Sequence, residues 1–131
     1  MFNYNEANFF KTEDNEQIFY NKNFSSFDKS KKTIVFNYGL VCSNHHWKYQ
    51  IEYFDQRGYQ ILIHDYRGHF QSTGRHDVKK ITFPQMAKDI KDLCDFVGID
   101  KAYMLGHSMG VNITLQIAKD YPALVQGMVL I

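Results

Sequence analysis

What most narrows the fold of this chain is a repeated exchange between two hydrophobic periodicities. Short apolar runs of buried-strand type occur at Thr33-Ile34-Val35-Phe36, Ile61-Leu62-Ile63, Ala102-Tyr103-Met104-Leu105 and Met128-Val129-Leu130-Ile131. Between them the apolar residues return every three or four positions. His45 to Arg57 brings Trp47, Ile51 and Phe54 to one helical face and stops before Gly58. Phe83, Met86, Ala87, Ile90, Leu93, Cys94 and Val97 form a continuous stripe that Gly98 ends, and Thr82 with Gln85 has capping-box spacing. Residues 109–121 form a third helix whose polar positions, Asn112, Gln116, Lys119 and Asp120, make only a narrow band, so that helix is expected to be largely buried. Strands that alternate with helices pair in parallel through right-handed crossovers. Ahead of them, Asn8–Thr12 and Gln17–Tyr20 flank the turn residues Glu13-Asp14-Asn15-Glu16 and read as a hairpin. The expected fold is α/β: an open, mostly parallel sheet with helices on both faces, preceded by an N-terminal hairpin.

Composition limits the partners. With 131 residues, 44% of them hydrophobic and 16% aromatic, there is ample material for one core, and no repeat divides the chain. Fifteen basic residues against 14 acidic give a net charge of +1, which supplies no electrostatic case for nucleic acid or an anionic membrane. The one basic cluster, Lys29-Ser30-Lys31-Lys32, reads as a solvated loop. No apolar run approaches the roughly 18 residues of a membrane span. Met1 to Glu6 lacks the basic start and apolar stretch of a secretory signal. Cys42 and Cys94 make neither a disulfide framework nor a metal site, and Cys94 falls on an apolar stripe as a buried free thiol. A reduced, cytoplasmic protein is expected.

The chemistry is carried by Gly106-His107-Ser108-Met109-Gly110, a G-x-S-x-G pentapeptide between an apolar strand and a helix. In that context Ser108 occupies a very tight turn that lifts its hydroxyl clear of the backbone, in a strained conformation fixed by what flanks it. Gly106 and Gly110 keep side chains out of the space where strand and helix nearly touch. The N–H of Met109, in the first helical turn, points to where an oxyanion would form. A dinucleotide site would need a G-x-G-x-x-G between strand and helix, and the turn after residue 36 supplies only Gly39.

Three local features resemble the α/β-hydrolase superfamily, specifically its serine esterase, lipase and peptidase-like members. They are the pentapeptide; Asp65-Tyr66-Arg67-Gly68-His69-Phe70-Gln71-Ser72, similar to the D-x-R-G-x-G-x-S loop after the fourth strand; and Tyr38-Gly39-Leu40, in the place of the H-G-x oxyanion loop. The resemblance implies that Ser108 is the nucleophile and that the N–H groups of Leu40 and Met109 form the oxyanion hole. It further implies hydrolysis of a small-molecule carboxylic ester, less readily an amide or thioester, through an acyl-serine, with no metal or organic cofactor. Dehalogenase- and epoxide-hydrolase-like members carry aspartate at the nucleophile position, so serine favours acyl transfer. Tyr38 stands where the family usually has histidine, a residue with a generally structural role. Phe70 replaces the second glycine of its loop, so its side chain is expected to point outwards or toward the substrate entrance.

A serine needs a base and an orienting acid, which in this family follow it in the order Ser, Asp or Glu, His. After Ser108 the chain offers only Asp120 and no histidine. Asp120 lies about twelve helical residues, roughly 18 Å, from the elbow, too far to orient a base. His107 is expected to leave the elbow on the side opposite Ser108, and His45, His46, His64, His69 and His76 read as loop or packing residues. The chain therefore reads as residues 1–131 of an α/β-hydrolase domain cut after its sixth strand, its C-terminal half with lid, acid and histidine absent. The alternative is a non-catalytic module that binds a ligand or partner in the same crevice. Under the first reading Met128–Ile131 is an uncovered edge beside an apolar patch.

Overall fold

A computed structural model describes residues 1–131. The strands are β1 (Asn8–Lys11), β2 (Gln17–Lys22), β3 (Thr33–Asn37), β4 (Gln60–His64), β5 (Ala102–Gly106) and β6 (Val125–Leu130), and the helices are α1 (Lys48–Gln56), α2 (Phe83–Val97) and α3 (Met109–Asp120). All six strands join one sheet in the order β1-β2-β4-β3-β5-β6. β3 to β6 run parallel, whereas β1 and β2 form an antiparallel hairpin that pairs with β4 through β2. The order shows where the chain reverses direction across the sheet. It steps from β3 to β4 on one side, then crosses β3 to place β5 on the other. Crevices at the carboxyl ends of such strands are where open α/β sheets bind ligands.

Side-chain alternation assigns the helices to faces. Phe36 meets the Trp47 ring at 5.2 Å on the α1 face, while the next residue, Asn37, reaches Thr114 of α3 on the opposite face. α2 packs beside α3 on that second face, with Met86, Ala87, Ile90, Leu93 and Cys94 buried. The centre is made of Val35, Phe36, Ile61, Leu62, Leu93, Met104, Ile113 and Ile117, all out of contact with solvent. Burying one such aliphatic or aromatic side chain contributes about 1.5–3 kcal/mol. The mixed sheet, the hairpin and the helices on both faces agree with the α/β expectation.

Two local expectations are corrected. The Thr82 hydroxyl accepts the Gln85 N–H at 3.3 Å, but the Gln85 amide donates to Asp89 instead of returning to the cap. The reciprocal arrangement occurs at Ser43, which caps the short 3-10 turn Asn44–Trp47 while its own N–H donates to His46 Nδ1 at 3.1 Å. The second correction concerns α3, which buries one face only: Gly110, Ile113, Thr114 and Ile117. Leu115 on its outer side is exposed, because α2 covers just one flank of the helix.

Candidate active site

β5 delivers Gly106 and α3 begins at Met109, leaving two residues to reverse the chain. Ser108 completes that turn at φ 55°, ψ −118°, a region that residues with a Cβ seldom occupy. Backbone bonds hold it there. His107 N–H donates to Asn37 O at 3.2 Å, Gly110 N–H to His107 O at 2.9 Å, and Ser108 N–H to Ile131 O at 3.0 Å. Ile131 N–H in turn donates to Gly106 O at 2.9 Å, so the strand beside β5 braces the elbow. A Cβ on Gly106 would stand 2.5 Å from Gly110 O, and one on Gly110 would overlap Asn37 O. The pentapeptide's glycines are therefore required by contact distances.

The loop after β3 runs directly against the serine. A Cβ on Gly39 would lie 3.0 Å from Ser108 Cβ. The following N–H, that of Leu40, makes no hydrogen bond in the chain. Met109 N–H occupies the first helical position, where the helix supplies no acceptor. The structure thus brings Ser108, Leu40 and Met109 to one place at the carboxyl end of the sheet. The Ser108 hydroxyl is exposed and unpaired.

The aspartate-to-serine loop is tied down by its first residue. Asp65 is buried, with Oδ1 accepting from Tyr38 Oη at 3.2 Å and Asn44 Nδ2 at 3.4 Å, and Oδ2 accepting the Gln71 N–H at 3.2 Å. Burial without a counter-ion in contact raises its pKa above the usual carboxylate range. Tyr38 joins this loop to the one after β3, since Tyr66 Oη donates to its carbonyl at 2.8 Å and Tyr66 N–H to its hydroxyl at 3.3 Å. A tyrosine at that position thus has structural work. Phe70 takes φ 43°, lies 52% exposed, and meets Tyr38 edge-on at 6.0 Å, pointing outwards as its bulk required.

Arg67 is the residue whose role pattern-reading missed. It is 1% exposed and forks onto two carboxylates, Asp89 at 2.6 and 2.9 Å and Asp14 at 2.9 and 3.2 Å. One guanidinium therefore couples the site loop to α2 and to the hairpin turn. A signal was present: Asp89 sits three residues after Met86 and four before Leu93, a charge on an otherwise apolar stripe.

The histidines have other engagements. His107 faces Trp47 edge-on at 6.4 Å, His69 Nδ1 lies 2.9 Å from Arg67 O, and His76 Nε2 is 3.6 Å from Glu16. Cys42 is half-buried and lines a cavity of about 210 Å³ with Tyr38, His46, Trp47, His107 and Ile131. Burial pushes the Cys94 thiol up to about 12. No group of three histidine, cysteine or acidic side chains is arranged to hold a metal ion, and no helix is long and apolar enough to cross a membrane.

The open, mostly parallel sheet, with a serine on a strained strand-to-helix turn at its carboxyl end, defines an α/β protein of hydrolase-like architecture. The sequence profile of the family described as alpha/beta hydrolase fold matches residues 32–131, and the chain belongs to that family. It is similar to the bifunctional esterase/perhydrolase DCH of Acinetobacter calcoaceticus, 30% identical over 111 residues that make up 85% of this chain and 38% of that protein. The putative carbamate hydrolase RutD of Caulobacter vibrioides is 32% identical over 92 residues, 70% of this chain and 34% of the relative. Among solved structures, MGS-M2, an alpha/beta hydrolase enzyme from a Medee basin deep-sea metagenome library, superposes with a TM-score of 0.82 at 26% identity. That superposition covers 94% of this chain and 43% of MGS-M2. The chain thus spans less than half the length of each of these proteins.

Proposed function

We propose that the chain carries the nucleophile and oxyanion hole of a serine hydrolase acting on a small-molecule carboxylic ester. The observation that carries this reading is Ser108 at φ 55° beside the unpaired N–H groups of Leu40 and Met109. Ser108 Oγ attacks the carbonyl carbon and its proton passes to a base. The carbonyl oxygen becomes negative and is held by the Leu40 and Met109 N–H groups, an interaction of about 3 kcal/mol per donor. Collapse of the tetrahedral intermediate expels the alcohol and leaves acyl-Ser108, which water hydrolyses to the acid. The esterase and carbamate hydrolase named among its relatives support acyl transfer, with an amide or thioester a less favoured target than an ester.

The base and its acid belong, in this proposal, to residues outside these 131, so the chain by itself acylates slowly and does not turn over. Its two free cysteines favour a reducing compartment such as the cytoplasm. Exposure to p-nitrophenyl butyrate followed by mass spectrometry tests the reading. A butyryl group is expected on the peptide containing Ser108 and absent in Ser108→Ala. A chain that takes no acyl group there favours a non-catalytic binding module instead. Rapid Ser108-dependent turnover would overturn the placement of the base outside the chain.

A further inference from the structure

Beneath the elbow, three polar side chains form one chain across three elements. His64 ends β4, Asn37 ends β3 and Thr114 lies in the second turn of α3, and all three are fully buried. His64 Nε2 stands 2.9 Å from Asn37 Oδ1, and Asn37 Nδ2 donates to Thr114 Oγ1 at 3.0 Å. Because Oδ1 can only accept, Nε2 of His64 carries the ring proton and Nδ1 is bare. That Nδ1 has no partner at all. A core of this kind is more simply filled by apolar side chains, since each buried polar group carries a desolvation penalty and an unpaired one carries it in full. Stability alone does not account for the trio.

Its position does. The Asn37 carbonyl accepts the N–H of His107, the residue before the nucleophile, and occupies the space that a Gly110 side chain would need. Thr114 Oγ1 would lie 2.7 Å from a Cβ on Gly106. The trio therefore touches both elbow glycines and the residue before Ser108.

We infer that Asn37 is a positioning residue for the elbow: by bridging His64 and Thr114 it fixes β3 against the start of α3. That registration sets the backbone of Ser108 and the spacing of the Leu40 and Met109 N–H groups. The inference rests on the reading of Ser108 as acyl acceptor. Thr114→Val replaces the hydroxyl by a methyl and so removes the acceptor for Asn37 Nδ2, whereas Thr114→Ser keeps the hydroxyl.

Two readouts are taken on the 131-residue chain. Acylation of Ser108 by p-nitrophenyl butyrate is expected to slow at least tenfold in Thr114→Val and to return to within threefold in Thr114→Ser. Amide hydrogen exchange, which needs no reaction at Ser108, is expected to quicken at least tenfold at His107, Ser108 and Gly110 in Thr114→Val, with β1, β2 and the middle of α2 unchanged. Exchange that is unaltered, or faster everywhere alike, overturns the inference, as does acylation indifferent to Thr114→Val. If the unsubstituted chain takes no acyl group, the nucleophile reading fails separately and the exchange pattern still decides this one. A nitrogen-15 spectrum showing His64 protonated on Nδ1 instead of Nε2 would also refute the bonding polarity of the chain.

Discussion

Gly110 has its neighbour where its side chain would be, so the smallest possible change there is a severe one. Gly110→Ala must push α3 off β3, and its stability is expected to fall by about 3 kcal/mol, measured by urea denaturation. Gly58, with a left-handed φ of 79° but open space around its Cβ, bears only a conformational penalty, so Gly58→Ala should fall by about 1 kcal/mol. His64 behaves differently because its cost depends on pH. Full burial lowers its folded pKa to about 4, well below the ordinary histidine value of about 6.5. In that window the unfolded chain binds the proton and the folded chain does not. Stability is therefore complete above pH 6.5 and declines toward pH 4, by up to about 3 kcal/mol. Replacing His64 with Gln, which cannot titrate, should flatten the stability profile between these values, as followed by denaturation at stepped pH.

Between elements, the decisive link is Arg67. It joins the hairpin turn through Asp14 and α2 through Asp89, and no backbone pairing connects those two directly. Arg67→Met would strand two carboxylates, one of them deeply buried, and should cost about 3–5 kcal/mol at neutral pH, measured by denaturant unfolding. Bonds from Arg67 and then Thr12 hold the Asp14 carboxyl well below the usual range. Its contribution is therefore present above about pH 4 and lost on further acidification, and the Arg67→Met protein, left with the Thr12 and Lys80 bonds, should show a smaller acid limb. The elements themselves were legible in the sequence, because periodicity of two or 3.6 follows directly from backbone geometry. So were the strand-to-helix serine and its glycines, which depend on neighbours a few residues away. Arg67 with Asp14 and Asp89, and Asn37 with Thr114, are joined over 22 to 77 positions. Such partners follow from the crossovers of the sheet and leave only weak local traces, such as a carboxylate on an apolar stripe. The extent of α3's burial is not legible for the same reason, since a helix's own pattern does not tell how many neighbours it receives.

As a whole, the sheet ends in two edge strands, β1 and β6, and β6 exposes Met128, Val129 and Leu130. On the α1 face, Ile34, Phe54, Tyr59, Tyr103, Leu105 and Val129 enclose an open apolar hollow of about 280 Å³. Within residues 1–131 both β6 and this hollow are exposed. A hydrophobic dye should bind there, and Val129→Lys, by placing a charge on the strand edge, should weaken dye binding and lower self-association in light scattering. An unchanged scattering profile would mean that β6 is not the sticky edge. The indole of Trp47, the single tryptophan of the chain, is seated against His107 one residue from the serine. All long-wavelength emission from the folded protein therefore originates beside the elbow, and a fluorimeter trained on the entire solution reads that one corner without any attached label.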